Sequence, residues 1–109
     1  MPYRPRFVYM DLDDVLAAEP EARALGVSEV ARGAGGFVEQ YEDAGGDPER
    51  LTEHWQRKRD GFVARHVTQA RDNGEPWFDD GEPTRRHLAL MMWAYTPTPA
   101  RTQRWLEAL

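Results

Sequence analysis

The fold is decided by the stretch PTRRHLALMMWAY, residues 83–95, which contains the longest apolar run in the chain. Pro83 or Thr84 is a suitable first residue for a helix. The helix is expected to end at Tyr95-Thr96-Pro97, because a residue that precedes proline avoids the α region. From Leu88 onward, apolar side chains point to all sides of such a helix, which is typical of a helix buried on most of its surface. The sequence therefore predicts an interior helix whose first turn is cationic.

Further helical segments are predicted on both sides of this apolar helix. Thr52 is expected to cap the longest of them, in which Gly61 costs about 1 kcal/mol relative to alanine and predicts a kink or a close packing contact. Residues 75–83 are predicted as a loop with Asp-Asp-Gly turn chemistry. The expected helical segments are residues 15–18 (with Pro20 interrupting or restarting the helix), 37–44, 53–71 and a last helix opened by Thr98-Pro99, and Ser28 is expected to cap a short turn that runs through Arg32.

Together these segments predict an all-α fold, a small single-domain bundle of four or five helices over residues 11–109. Residues 1–10 precede it and are expected to form an extended arm, since the first six of them include two prolines and two arginines. The short apolar run that follows in the arm is expected to be a strand or a strip that docks on the core. Phe7 and Tyr9 are the docking residues that we predict.

The composition is that of a folded, acidic protein. Four Trp, four Tyr and four Phe among 109 residues supply large apolar anchors, and the absence of cysteine excludes disulfides and thiolate chemistry. The net charge is −5 at pH 7, but residues 1–53 hold five basic and twelve acidic residues, whereas residues 54–109 hold nine and seven. This distribution of charge argues against nucleic-acid binding by the whole surface but is compatible with a local basic face.

One short motif suggests catalysis. Residues 7–16, FVYMDLDDVL, resemble the first motif of haloacid-dehalogenase-like phosphatases. The resemblance implies Asp11 as a nucleophile and Asp13 as an acid/base, both beside Mg²⁺. No further parallel strands follow, Lys58 is the only lysine, and a polar loop precedes Asp79-Asp80. Acidic residues at the start of a helix are therefore the favoured interpretation, and the phosphatase is a weak alternative.

No other pattern favours a catalytic or metal site. His54, His66 and His87 are spaced by twelve and twenty-one residues, which matches no familiar metal-binding pattern. Ser28 is the only serine, and no phosphate-binding loop is present. We therefore expect a protein that is not an enzyme, with no cofactor, no metal and no small-molecule substrate.

The basic residues of the second half are the stronger signal for binding. Residues 88–109 would suit a helix-turn-helix whose last helix faces DNA. The alternative is that several arginines are structural, stacked on aromatic rings or holding helix ends, and Arg65, Arg85 and Arg86 are the ones expected near core aromatics. The candidate binding residues, for protein or nucleic acid, are Arg57, Lys58, Arg59, Arg85, Arg86, Arg101 and Arg104.

Several short segments carry a family resemblance. They are VAR at 30–32, GF at 36–37, AGGDP at 44–48, Trp55, RKRDGF at 57–62, ARH at 64–66, GEP at 74–76, DG at 80–81 and the stretch 83–95. Over residues 27–97 the chain resembles a family of small proteins found in tailed-phage genomes. The resemblance implies a phage or an integrated prophage as the source and implies no activity.

The expected function is a non-enzymatic, phage-type interaction protein that docks on a larger protein assembly or associates with the virion. Its partner would be another protein or a second copy of itself. The alternative is a DNA-binding regulator or packaging accessory that uses the last two helices. No signal peptide and no membrane-length apolar segment is apparent, so the host cytoplasm or the virion is the expected location and no membrane partner is expected.

Overall fold

The computed structural model describes residue 3 and residues 6–97, and within these the chain is predominantly helical. The elements, in chain order, are α1 (Leu12–Ala24), α2 (Glu29–Arg32), α3 (Phe37–Asp43), a 3₁₀ turn (Pro48–Arg50), α4 (Glu53–Asn73), strands β1 (Phe78–Asp79) and β2 (Glu82–Pro83), and α5 (Arg85–Met91). The helical class is as predicted. The helices are very unequal in length, with 21 residues in α4 and 7 in α5, and their predicted arrangement as a bundle stays a prediction.

The loop predicted at residues 75–83 contains a small antiparallel hairpin. Phe78 lies opposite Pro83, and Asp79 lies opposite Glu82. The two residues between the strands, Asp80 and Gly81, have φ values of 54° and 83°. Positive φ at both central residues is what a tight type I′ hairpin turn requires, and Asp-Gly is a favoured pair for it. The turn chemistry was therefore visible in the sequence, whereas the strands were too short to predict.

Helix α4 has the predicted beginning. The hydroxyl of Thr52 accepts a hydrogen bond from the backbone N–H of Trp55, and the helix ends where Gly74 adopts a φ of 66°. Gly61 lies inside this continuous helix. A Cβ atom built on Gly61 would meet only the guanidinium of Arg65, at 3.5 Å, an ordinary van der Waals distance. The predicted close packing contact at Gly61 is therefore wrong.

Helix α5 is shorter than predicted. Thr84 caps it by accepting a hydrogen bond from the backbone N–H of His87, but the helix ends at Met91 rather than at Tyr95. Ala94 then adopts a left-handed conformation with a φ of 58°. Its carbonyl oxygen accepts hydrogen bonds from the backbone N–H of Met10 and from the side chain of Arg59. Local backbone hydrogen bonds close the end of α5, and Ala94 links it to partners that are distant in sequence.

The segment 88–95 is nevertheless the interior of the protein, as predicted. Leu88, Leu90, Met91, Met92 and Ala94 have no exposed surface, and all of them except Leu90 belong to one core cluster that extends back to Met10. Aromatic rings stack in series through this core. Trp93 lies 4.6 Å from Phe62 and 5.2 Å from Phe37, measured between ring centroids and with interplanar angles near 20°. The stack runs from His66 through Phe62, Trp93 and Phe37 to Tyr41.

The first helix is longer than predicted. The first was expected at residues 15–18, but α1 runs from Leu12 to Ala24 and includes Pro20 without a break in the assigned helix. The last helix, expected after Thr98-Pro99 with Trp105, lies outside the described residues. No helix in the described ranges is long and apolar enough to cross a membrane.

Candidate interaction site

Arg59, one of the predicted binding residues, is completely buried. All five of its N–H groups are used, four of them on backbone carbonyl oxygens at 2.7–2.9 Å. The acceptors are the carbonyl oxygens of Phe7, Val8, Trp93 and Ala94 and the Oδ1 atom of Asp60. A guanidinium has five donors, so Arg59 has none left for a ligand. Its assignment to a binding surface was wrong: Arg59 is a structural residue.

Asp60 extends this arrangement to the arm. Its Oδ2 atom accepts hydrogen bonds from the Tyr3 hydroxyl at 2.5 Å and from the backbone N–H of Arg6 at 2.8 Å, and its Oδ1 atom lies 3.0 Å from Arg59. We call Arg59 and Asp60 the anchor. Because they are neighbours on α4 and bond to residues more than 50 positions away, the anchor joins the arm to the long helix.

The two predicted docking residues of the arm lie next to the anchor. The Phe7 ring makes an edge contact with Tyr95, with centroids 5.5 Å apart. The guanidinium of Arg59 lies 3.8 Å from the centroid of the Tyr9 ring, a cation–π contact in a desolvated setting. Burial raises the pKa of Tyr9 to about 12, and its hydroxyl has no hydrogen-bond partner among the described residues.

The surface of the described chain carries a groove between the α1–α2 loop on one side and α4 and α5 on the other. It consists of two adjoining depressions that share Gly26 and Ser28. We call them the apolar half and the basic half. The apolar half is lined also by Glu29, Val30, Ala31, Phe62 and Trp93. The basic half is lined also by Val27, His66, Glu75, Arg85, Arg86 and Ala89.

Val30 is the exposed edge of the apolar half. Its side chain is 83% exposed although it is fully apolar, and it lies beside a depression lined by Phe62 and Trp93. Leu25, in the neighbouring loop, is 43% exposed. A single exposed apolar residue has little meaning, but one that flanks an aromatic-lined depression is typical of an interaction surface.

In the basic half, Arg86 is held by its neighbours. It forms a two-pronged pair with Glu75, through Nε at 3.2 Å and Nη2 at 2.8 Å, and its Nη1 atom contacts His66 Nδ1 at 2.8 Å and Gln69 Oε1 at 3.0 Å. These bonds connect α5 to α4 and to the segment that follows α4. Arg86 is therefore placed in the groove but is largely engaged within the protein.

The contact with Arg86 determines the protonation of His66. An arginine can only donate, so Nδ1 of His66 accepts and the ring proton is on Nε2. Burial lowers the pKa of His66, and the neighbouring cations Arg86 and Arg65 lower it further. The ring stacks on Phe62 at 3.9 Å between centroids. With Nδ1 engaged, the exposed chemistry of His66 is an N–H donor rather than a general base.

Arg85 is the exposed cation of the groove. Within the described chain, only one of its N–H groups makes a hydrogen bond, from Nη1 to the carbonyl oxygen of Leu25 at 2.8 Å. This bond places the guanidinium across the mouth of the basic half and holds the α1–α2 loop against α5. The other N–H groups of Arg85 have no acceptor among the described residues.

The remaining basic residues are dispersed. Arg57 and Lys58 are exposed and lie about 12 Å before His66 along α4, by the helical rise. Arg57 pairs with Glu53 at 3.2 Å and lies over the Tyr3 ring, and Lys58 lies over the Trp55 ring. Arg101 and Arg104 lie outside the described residues, so the proposed helix-turn-helix over residues 88–109 stays a prediction.

The phosphatase-like motif lacks its structural context. Asp11 is the N-cap of α1 and Asp13 lies in its first turn, and residues 7–10 before them pair with no strand in the described part of the chain. Nor do the described residues contain a group of three or more His, Asp or Glu side chains placed to hold a metal ion. These acids therefore occupy the helix-start positions of the favoured interpretation.

Sequence reasoning did not identify the groove. It singled out Arg85 and Arg86, but it did not connect them with Ser28, Val30, Phe62 or His66. The one local signal was an exposed apolar residue, Val30, on a helix too short for a periodic pattern. Ser28 carries a second signal in the structure, a φ of 55°, which no sequence pattern indicates for serine.

Comparison with known proteins does not assign this chain to a family. No protein-family model matches the chain, and neither do curated proteins or solved structures. The resemblance of residues 27–97 to proteins of tailed phages therefore stays a prediction.

Proposed function

We propose that this chain is a non-enzymatic interaction protein that docks on another protein through the groove. The observation that carries the proposal is the position of Val30, which is 83% exposed beside a depression lined by Phe62 and Trp93. Aromatic side chains and arginine are enriched where proteins bind each other, and Arg85 supplies the arginine at the other end of the groove.

The support of the groove is suited to such docking. Arg85 holds the α1–α2 loop, and Arg86 holds α5 to α4 through His66, Gln69 and Glu75. A surface that is already fixed before binding loses little conformational freedom when a partner arrives. The groove therefore has the rigidity that a specific protein contact needs.

The resemblance to tailed-phage proteins sets the class of partner that we propose first. It is a protein of the phage particle or of a host assembly that a phage protein engages. The corresponding location is the virion or the host cytoplasm. These are proposals, supported by the sequence segments quoted above.

Site-specific photocrosslinking tests the proposal. A photoreactive phenylalanine analogue at position 30, in the full chain produced in infected host cells, is expected to crosslink to one protein that mass spectrometry identifies. The matched control is position 8, because Val8 is also 83% exposed but lies on the arm. The same crosslinks from both positions, or none from position 30, would contradict docking through the groove.

A further inference from the structure

We propose that the groove takes a short segment of the partner protein in which an apolar side chain lies next to an acidic one. The apolar side chain occupies the depression beside Val30, Phe62 and Trp93, and the carboxylate occupies the basic half beside Arg85 and His66. This inference rests on the proposed function, since it names the segment that the docking groove recognises.

The basic half presents hydrogen-bond donors without partners. Arg85 has one N–H group bonded, to Leu25, and the others unbonded in the described chain. His66 carries its proton on Nε2, because Nδ1 accepts from Arg86. The hydroxyl of Ser28 makes no capping hydrogen bond at the start of α2. Three hydrogen-bond donors around one depression favour a ligand group that accepts hydrogen bonds. An ionised carboxylate accepts the strongest hydrogen bonds.

Charge favours an anion at the same place. The protein has a net charge of −5, yet the charged residues lining the basic half are Glu75, Arg85 and Arg86. Glu75 and Arg86 are paired with each other at 2.8 Å, which leaves the charge of Arg85 uncompensated by any residue of the depression. Arg65 adds a further positive charge next to His66. The basic half is thus cationic on an acidic protein.

The residues of the apolar half determine which of the two side chains lies there. Glu29 is the charged residue of the apolar half, and it repels a carboxylate placed there. Phe62 and Trp93 offer aromatic surface to an apolar side chain instead. Since Gly26 and Ser28 border both halves, two side chains on the same face of one extended segment, two positions apart, reach both.

A peptide selection with matched variants tests the inference. Short random peptides displayed on their own mRNA are selected on the full-length protein, and the affinity of the most enriched peptide is measured by fluorescence anisotropy. We expect enrichment of peptides with an apolar and an acidic residue two positions apart, on the same face of an extended segment. Arg85→Glu is expected to weaken the best peptide by about tenfold or more, the range for losing a hydrogen-bonded charge pair. Arg57→Glu, at an exposed cation outside the groove, is expected to change it less than about twofold. A peptide with lysine in place of its acid is expected to bind the Arg85→Glu variant better than the natural protein.

The other outcomes separate the inference from the proposed function. One outcome overturns the inference and leaves groove docking in place. In it, Val30→Asp weakens binding of the selected peptides, but these peptides contain no acidic residue or bind the Arg85→Glu variant with unchanged affinity. If the selected peptides bind the Val30→Asp variant with unchanged affinity, or if no peptide is enriched, both the inference and the proposed function are overturned. Light scattering tests whether the protein forms a concentration-dependent dimer. If it does, and if Val30→Asp abolishes the dimer, the groove binds a second copy of the chain and the inference is overturned. Unchanged circular dichroism and thermal melting establish that each variant is folded.

Discussion

The Nη2 atom of Arg59 lies 2.9 Å from the carbonyl oxygen of Ala94, inside the protein. The same atom is 2.7 Å from the carbonyl oxygen of Val8. One side chain on α4 therefore joins the arm to the chain reversal after α5. These two segments are 51 and 35 positions away from Arg59 along the sequence.

Replacing Arg59 is expected to destabilise the protein strongly. Arg59→Met removes five hydrogen bonds and leaves the carboxylate of Asp60 buried without its cation. Breaking a buried pair in this way lowers the free energy of unfolding by about 3–5 kcal/mol. Arg59→Lys is expected to recover only part of this, because an ammonium group cannot reach acceptors on several sides at once.

Urea unfolding followed by circular dichroism measures these changes. Arg57→Met is the matched control, two positions earlier on the same helix but exposed, and its effect is expected to stay within about 0.5 kcal/mol. A loss below 1 kcal/mol for Arg59→Met, on the order of a single neutral hydrogen bond, would show that the anchor is not needed for stability.

Mild acid is expected to destabilise the protein through two histidines. Burial lowers the pKa of His87, whose Nδ1 donates to the carbonyl oxygen of Trp77 and whose Nε2 accepts from Thr96. Burial and nearby arginines lower the pKa of His66. In the unfolded chain both histidines titrate at about pH 6.5, so the unfolded state binds more protons than the folded state below that pH. Stability is therefore present above about pH 6.5 and falls as the pH drops toward the folded pKa values.

Unfolding free energies at about pH 7.5 and about pH 5.5 bracket this transition of histidine. His87→Gln is expected to be less stable than the natural chain at neutral pH but to lose less on acidification. His54→Gln, at an exposed histidine, is the control and is expected to retain the full pH dependence. Equal pH dependence in all three proteins would contradict a role for His87.

Gly61→Ala is expected to stabilise the protein. The added methyl group meets only the end of the flexible Arg65 side chain at 3.5 Å, and alanine favours a helix by about 1 kcal/mol over glycine. The matched control is Gly36→Ala, where a Cβ atom would lie 2.2 Å from the carbonyl oxygen of Val30. Such a clash in a packed site is expected to cost about 1–3 kcal/mol. Thermal melting compares the two variants, and a lower melting temperature for Gly61→Ala would reveal a constraint at that position.

Binding to duplex DNA is expected to be weak, because the net charge is −5 and Arg59 and Arg86 are engaged within the protein. Fluorescence anisotropy with a labelled duplex over a salt series measures it. If residues 88–109 contact DNA, the logarithm of the affinity falls linearly with the logarithm of salt concentration. In that case the double variant Arg101→Ala and Arg104→Ala weakens binding, and DNA binding replaces docking as the first proposal.

Local chemistry made several elements predictable. Thr52 and Thr84 have side chains that accept hydrogen bonds from the start of the helix that follows, and each does so. Asp80-Gly81 allows the positive φ values of a tight turn. The apolar composition of residues 88–94 required burial wherever the chain placed them. Each of these depends on neighbours within a few residues, so the order of amino acids was sufficient.

The sequence by itself thus determined a helical protein with an interior segment at residues 88–95. Only the tertiary structure decided that Arg59 is buried. Its acceptors come from both ends of the described chain, so the residues near Arg59 in the sequence do not predict them. The groove arose in the same way, where Gly26 and Ser28 meet Phe62, His66 and Arg85. Whether a guanidinium is exposed to solvent or buried depends on the hydrogen-bond acceptors around it. Those acceptors come close to one another only after the chain has folded.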